Sequence, residues 1–291
     1  MEKFVIGVDL GGSNIRVATV NLKGKILTRK VQPVKKENRN VVIEQMIDLI
    51  DSLMNGKIKG IGISVPGAVT PSGLVWAPNL PNWNDFPLEN ILRSRFPSLE
   101  VVVKDDRSTA VFGESRFGVA KECKNFVFMI VGTGIGVGLM LDGHIYSGTR
   151  GLAGSMGWFI VDSDSHSSGS KYETFEEKAA GLAIKKKYGL NGQTIFNKAL
   201  EGDVKALEIL ENIGKEIGIG VANLVAIVDP EMVVIGGGVA KSWKYIKYGI
   251  QYSMQKWSHP ILKDIPIFCS SLGDDAGILG VSQMVMERMC D

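Results

Sequence analysis

The chain has 291 residues, of which 45% are apolar and 22% charged, and its formal net charge is +2. This composition is typical of a globular protein with one large or two smaller domains, and it argues against a basic nucleic-acid-binding surface or an acidic tail. The N-terminal segment MEKFVIGVDLGG lacks the features of a signal peptide, and no apolar run approaches the ~20 residues of a membrane span. Three scattered cysteines predict a reducing, cytoplasmic location without a disulfide framework. We therefore expect neither nucleic acid nor a membrane as a partner.

The first part of the chain predicts a β-meander around a glycine-rich turn. FVIGVDL (4–10) is predicted as a buried strand, GGSN turns the chain, and IRVATVNL (15–22) alternates like a half-buried strand. An amphipathic helix is predicted over 41–54, followed by a strand that ends in a Pro-Gly turn over 58–67. After a loop-rich stretch, VVVKDD (101–106) predicts a short buried strand that ends in two carboxylates, and a helix follows.

The same order of elements begins again at Phe126. FVFMIVGTGIGVGLMLDGHIYSG is once more a strand, a glycine-rich turn, a strand and a hairpin turn, about 120 residues after the first copy. Helices are then predicted over roughly 203–228, and the strand EMVVIGGGVA (231–240) runs into a third glycine cluster. The sequence therefore predicts an α/β protein with mixed sheets, made of two domains of one fold that face each other.

Three glycine clusters follow strands, and this arrangement points to a bound polyphosphate. Glycine permits positive φ and lets backbone N–H groups approach an anion closely. None of the clusters fits the P-loop pattern, because no Gly-Lys-Ser/Thr follows. GTGIGVG leads into a strand instead of a helix, which disfavours a dinucleotide-binding fold. We interpret the clusters as turns that hold a polyphosphate between the two domains.

Two readings are open for the carboxylate pair of Asp105 and Asp106. Asp106 could cap the helix that starts near Arg107, with Asp105 as a turn residue, since Asp is a favoured N-cap and its charge suits a helix N-terminus. A carboxylate at a strand end inside a cleft is also rigidly placed for catalysis. Capping and catalysis are compatible with each other.

Seven segments, taken together, resemble the ROK family in both order and spacing. They are DLGGSNIR (9–16), SVPGAV (64–69), APNLPNW (77–83), KDDRSTAVFGE (104–114), VGTGIGVG (131–138), IGGGV (235–239) and GDDAGILG (273–280). The resemblance covers nearly the whole chain. It implies the actin-like ATPase fold, with two ribonuclease-H-like domains around a central cleft. On this basis we predict a small domain over 1–115, a larger one over 116–276, and a C-terminal helix over about 277–291 that returns to the first.

The resemblance implies an ATP site built from glycine turns of both domains. The predicted phosphate contacts of the first domain are Asp9, Gly11, Gly12, Ser13 and Asn14, those of the second domain are Gly132, Thr133, Gly134 and Gly136, and those bordering the adenosine are Gly236, Gly237 and Gly238. Asp9 would lie near Mg²⁺ and hold it through water. Phosphoryl transfer depends mostly on positioning and on neutralising the γ-phosphate, which suits such a site.

The resemblance also implies a substrate site around Asp106, which aligns with the family's general base. The family's usual stretch is Asn-Asp-Ala-Asn, so Asp105 stands at the first Asn, where it would accept a bond from a substrate hydroxyl. Further predicted substrate contacts are Gly67, Asn79, Ser155, Trp158 and Glu176. Glu173 and Glu177 compete with Glu176 for the second acidic contact.

The chain departs from the family where the sugar-reading and zinc motifs are expected. Ser155 and Trp158 stand at the Glu and the His of Glu-x-Gly-His. Trp158 either offers the substrate an apolar face or is a core residue. The cysteine cluster downstream is absent, and His166 by itself cannot complete a four-ligand site, so we predict no zinc and a solvated His166.

We therefore predict an ATP- and Mg²⁺-dependent kinase, a homodimer as are many family members, that acts on a hexose or on a cyclitol such as myo-inositol. A glucokinase proper is the first alternative. A sugar-responsive ROK regulator without a DNA-binding domain is the second. The family's repressors carry a helix-turn-helix before the first phosphate motif, and we expect none here because Asp9 lies only eight residues after Met1. A non-catalytic actin-like assembly protein is disfavoured by Asp106 and by the substrate-site motifs.

Overall fold

The computed structural model describes residues 2–162 and 173–290. No helix in this part of the chain is long and apolar enough to cross a membrane. The first half contains these elements: β1 (Phe4–Leu10), β2 (Asn14–Asn21), β3 (Ile26–Pro33), α1 (Arg39–Asp51), β4 (Ile58–Val65), β5 (Ala68–Val69), β6 (Val75–Trp76), α2 (Leu88–Arg95), β7 (Glu100–Asp105) and α3 (Asp106–Phe117).

The second half repeats the strand order and adds a layer of helices. Its elements are β8 (Phe126–Val131), β9 (Ile135–Leu141), β10 (His144–Ile145), β11 (Ile160–Asp162), β12 (Glu173–Thr174), α4 (Phe175–Ala179), α5 (Gly181–Tyr188), α6 (Gly192–Leu200), α7 (Val204–Val228), β13 (Met232–Gly236), α8 (Trp243–Trp257), β14 (Ile267–Cys269) and α9 (Ala276–Arg288).

Two five-stranded sheets share one topology. The first has the order β3-β2-β1-β4-β7 and the second has the order β10-β9-β8-β13-β14. In each, an antiparallel meander of three strands is extended by two parallel strands. The central parallel strands β1, β4, β8 and β13 are mostly buried, as expected for strands covered on both faces, whereas the edge strand β14 has no buried residue. The predicted mixed α/β class is confirmed.

Helices α3 and α9 lie between the sheets, and each packs on the sheet of the other half. Helix α9 follows β14 of the second sheet but packs on β1, β4 and β7, whereas α3 follows β7 and packs on β8 and β9. The two helices touch backbone to backbone, because a Cβ at Gly280 would collide with the Thr109 carbonyl oxygen. The C-terminal helix therefore lies on the first sheet, while the boundary near residue 115 stays a prediction.

The long helix α7 forms the centre of the second core. The segment predicted over roughly 203–228 is one helix of 25 residues, capped by Asp203, whose side chain accepts a hydrogen bond from Ala206 N. Its buried face includes Gly214, where a Cβ would collide with the carbonyl oxygen of Ile246 on α8. This close approach lets α7 and α8 pack together over the second sheet. Their packing fixes the position of that sheet and of the loops that connect its strands.

Candidate active site

Polar side chains form a row along the carboxyl ends of the central strands of the first sheet. The strand register pairs Asp9 of β1 with Ser64 of β4, and Val65 of β4 with Asp105 of β7. Ser64 is fully buried, and its Oγ lies 2.8 Å from Thr109 Oγ1 on α3. Because carboxyl ends of parallel strands meet at one edge, the candidate metal carboxylate and the candidate base lie on the same side of the sheet.

Asp105, and not Asp106, caps helix α3. The Asp105 carboxylate accepts hydrogen bonds from Ser108 N at 3.1 Å and from Ser108 Oγ at 2.7 Å, and its own backbone is extended. The capping interpretation of Asp106 is therefore wrong. Asp106 is the first residue of the helix, and the cap leaves its carboxyl group for another role.

The Asp106 carboxyl group lies in surroundings that suit a general base. Burial raises its pKa from 3.8 to about 7, and the negative charges of Asp105 and Asp9 act in the same direction. The positive charge of Arg107 opposes them. A base works best when its pKa lies near the working pH, and Asp106 meets that condition.

Asp9, which is close in sequence to the first glycine turn, lies in a cluster of mixed charge. Its Oδ2 accepts a hydrogen bond from Arg16 Nη1 at 3.0 Å, and Asp274 lies 3.6 Å from Arg16 Nη2 and 3.2 Å from Lys241 Nζ. Burial raises the pKa of Asp9, and Arg16 opposes that shift. Mg²⁺ in kinases is usually bound through one or two carboxylates plus phosphate oxygens, so a single carboxylate fits the group. The described residues contain no group of three or more side chains able to hold a metal.

The first glycine turn joins β1 to β2 and lies beside Asn79. It is closed by a hydrogen bond from Gly11 N to Asn14 O of 2.9 Å, and Ser13 at its tip is exposed. A Cβ added at Gly12 would have Asn79 Cβ, at 3.8 Å, as its only neighbour. The structure thus brings a predicted phosphate contact and a predicted substrate contact to one place.

The second and third glycine turns are adjacent at the edge of the other sheet. Gly132 N donates to Gly134 O at 2.9 Å, and a Cβ at Gly237 (φ +80°) would lie 2.6 Å from Val131 O. Gly236 packs against the Phe128 ring, so that glycine has a packing reason of its own. Space around Gly132 and Gly238 is open, and exposed Thr133 lies in the same turn, as an approaching phosphate requires.

Two of the three candidate glutamates have described side chains, and these two make different contacts. Glu176 Oε2 accepts a hydrogen bond from Ile135 N at 2.8 Å, and its carboxylate occupies the space a Cβ at Gly134 would need. Glu177 forms a capping box with Thr174 at the start of α4. The side chain of Glu173 lies outside the described residues. Of the two glutamates whose side chains are described, Glu176 is the one that packs against the second glycine turn and supports it.

Ser155 faces a charged partner that the sequence did not reveal. Its Oγ accepts a hydrogen bond from Arg107 Nη1 at 3.0 Å and donates one to Leu152 O at 2.7 Å. Gly67, with φ +97°, also meets this arginine through its carbonyl oxygen. The Arg107 stem packs against Gly136. This glycine, which was predicted to contact phosphate, therefore also leaves space for the arginine side chain.

Trp158 is not a core residue. Its side chain is 73% exposed and lines an open groove with Phe159, Ile160 and Ile227. Neither Asp105 nor Asp106 lines this groove, so an apolar contact from Trp158 to the substrate has no support in the geometry. His166 and the stretch in which the family's zinc motif is expected lie outside the described residues.

Sequence reasoning missed the arginines that organise the site. Arg16 lies at the end of the motif DLGGSNIR, and Arg107 lies in KDDRSTAVFGE. The order of residues does not show which carboxylate or carbonyl group each guanidinium contacts. Arg16 follows the first glycine turn in an alternating strand, which was the one available signal that it faces the same side as Asn14.

Comparisons with known proteins agree with the fold described above. The model of the ROK family matches residues 5–288. A glucokinase from Halalkalibacterium halodurans is 28% identical, over 99% of this chain and 96% of its own, and a xylose repressor from Bacillus spizizenii is 27% identical, over 99% of this chain and 78% of its own. A ROK family glucokinase from Streptomyces griseus, solved with glucose and AMPPNP, superimposes with a TM-score of 0.86 at 24% identity, covering 98% and 99% of the two chains. The chain belongs to the ROK family and has the actin-like ATPase fold of its sugar kinases.

Proposed function

We propose that the protein is an ATP-dependent kinase that phosphorylates a hydroxyl group of a hexose or a cyclitol. The observation that carries this proposal is the Asp106 carboxyl group, whose pKa burial raises to about 7. It lies at the edge of the first sheet where the strands end, as does Asp9, and the glycine turns would supply backbone donors for phosphates. Relatives of comparable identity include both sugar kinases and repressors, so the site chemistry has to separate the two.

In the proposed reaction, Asp106 accepts the proton of the substrate hydroxyl as that oxygen attacks the γ-phosphorus of ATP. The new O–P bond forms while the bond from the γ-phosphorus to the β,γ-bridging oxygen breaks, and ADP leaves with that oxygen. Asp106 later returns its proton to water. Most of the remaining rate enhancement comes from holding the two reactants in line.

The nucleotide end of the site depends on backbone donors and on Asp9. Bound Mg²⁺ would neutralise charge on the phosphates, and Asp9 is the carboxylate placed to hold it. Arg16 keeps the Asp9 side chain oriented through the 3.0 Å hydrogen bond. The turn at Gly132–Gly134 is supported by Glu176 through Ile135 N, so we propose that Glu176 positions this turn in addition to any contact with the substrate.

The substrate end of the site favours a molecule that needs few recognition contacts from Ser155 and Trp158. The Ser155 hydroxyl donates a hydrogen bond to Leu152 O and accepts one from Arg107. Trp158 is turned to an open groove. A cyclitol such as myo-inositol presents hydroxyls around its whole ring and has no anomeric centre to be read, so we propose it as the first substrate to test, with glucose as the alternative.

The decisive experiment compares the wild-type protein and Asp106→Asn in phosphoryl transfer from ATP to a panel of hexoses, amino sugars and cyclitols, with the product identified by NMR. We expect at least one polyol to be phosphorylated and the variant to be slower by roughly 10²-fold or more. Tight binding of a sugar without any ATP consumption would instead favour the regulator. The homodimeric state and the cytoplasmic location stay predictions; sedimentation velocity tests the first.

A further inference from the structure

Arg107 is a buried arginine whose guanidinium donates hydrogen bonds to five acceptors within the protein. Its residue is 6% exposed, although it is only the second residue of α3. The acceptors within 3.2 Å are Asp105 Oδ1 at 3.2 Å, Ala153 O at 3.0 Å, Ser155 Oγ at 3.0 Å, Gly67 O at 3.0 Å and Gly151 O at 2.9 Å. The number of acceptors matches the number of N–H groups on a guanidinium.

These acceptors belong to three segments that meet beside Asp106. Gly67 lies in the turn after β4, and Asp105 ends β7. The remaining acceptors lie in the 151–155 loop, which follows β10 of the second sheet. One guanidinium therefore joins both halves of the molecule at the place where the candidate base begins α3.

The path of the arginine is fixed along its whole length. A Cβ at Gly136 would lie 2.9 Å from Arg107 Cδ and 3.0 Å from its Cγ, so β9 leaves room for the stem. The loop is held to the first half at a second point, because a Cβ at Gly151 would collide with the Val69 carbonyl oxygen. A buried, planar donor set of this kind is stable only when every acceptor is in place.

We propose that Arg107 is the positioning residue of the substrate site. It holds the Gly67 turn, the start of α3 and the 151–155 loop in one arrangement around Asp106, so that a hydroxyl substrate is presented to the base at a fixed distance. Because its N–H groups donate to protein acceptors, Arg107 acts on the reaction through these three segments and not through a contact with the reacting atoms. The kinetic part of this inference rests on the proposed kinase function; the structural part does not.

The kinetic test uses Arg107→Met, which keeps an apolar stem, and Arg107→Lys, which keeps the charge but not the planar fork. Arg116→Met is the matched control, because Arg116 lies on the same helix and forms an exposed ion pair with Glu287. We expect Arg107→Met to raise the KM of the hydroxyl substrate by about 10- to 100-fold and that of ATP by less than about twofold. Arg107→Lys should recover part of the loss, and the control should behave as wild type.

The pH profile separates a lost charge from general loosening of the fold, because water that entered a loosened site would weaken the burial and shift the profile to lower pH. Because the charge of Arg107 opposes the raised pKa of Asp106, the rise of kcat/KM with pH should shift to higher pH in Arg107→Met and stay in place in Arg107→Lys. Equal increases in both KM values, together with an unshifted profile, would overturn the positioning role.

Amide hydrogen exchange without ligands separates this inference from the proposed function. In Arg107→Met, amides in the 148–155 loop and around Gly67 should exchange at least about tenfold faster than in wild type, while those of α7 stay protected. Unchanged exchange in the loop of the folded variant would overturn the proposal even if the protein is a kinase. Faster exchange would support the structural part of the proposal even if no substrate were ever phosphorylated. If Arg107→Met does not fold, Arg107→Lys carries the same comparison.

Discussion

Replacing Asp106 with asparagine should stabilise the protein at neutral pH while it removes activity. The pKa of the carboxyl group rises from 3.8 to about 7, chiefly because burial disfavours the charged form. Between these two values the folded state keeps the proton that the unfolded chain has lost. The free energy of unfolding therefore falls as pH rises from about 4 to about 7 and then levels off.

The magnitude follows from the size of the shift. A shift of about three pH units corresponds to at most about 4 kcal/mol. The Asp106 residue is only half-buried, so water screens part of this cost and we expect about 1–2 kcal/mol. Asparagine is neutral at every pH and is free of this penalty. The variant should gain that amount of stability at about pH 8. It should gain little at about pH 4, where the carboxyl group is protonated in the folded protein and still partly protonated in the unfolded chain.

Urea unfolding followed by the fluorescence of the five tryptophans measures both values. Asp48→Asn is the matched control, because Asp48 is an exposed aspartate on α1. Wild-type kcat/KM should rise with pH and level off above about 7, since the base must be deprotonated. Asp106→Asn should lose roughly 10²-fold or more in kcat. A variant that is no more stable than wild type at pH 8 would refute the reasoning about burial, and near-normal turnover would refute the assignment of the base.

Three further predictions concern packing, substrate and metal. Gly280→Ala should destabilise the protein by about 1–3 kcal/mol, because its Cβ would meet the Thr109 carbonyl oxygen between α9 and α3; Gly192→Ala, with open space around it, is the control and should be neutral or slightly stabilising in the same urea assay. In one coupled assay at saturating Mg-ATP, myo-inositol should give a higher kcat/KM than glucose, and a tenfold advantage for glucose would end the cyclitol hypothesis. A chelator should abolish turnover and added Mg²⁺ restore it, whereas elemental analysis that finds one tightly held zinc per chain would contradict the prediction of a zinc-free protein.

The order of residues was sufficient to predict the elements and the class of fold. Strands such as FVIGVDL and FVFMIV are largely apolar, and all but one residue of each is buried. A glycine-rich turn follows each of these two strands. Family motifs then located the glycine turns and Asp106. Such features are local, since a strand, a tight turn and a helix start each depend on a few consecutive residues.

Only the tertiary structure decided which groups act on each other. Asp105 and Asp106 are adjacent in sequence and equally able to cap a helix, and the end of β7 determines that Asp105 does so. The sequence also could not show that Arg107 would meet carbonyl groups at positions 67, 151 and 153. Such contacts join residues forty or more positions apart, and they form because two sheets and the helices between them bring those residues together. Burial, which raises the pKa of Asp106, is likewise a property of the assembled cleft and not of the segment that carries the carboxylate.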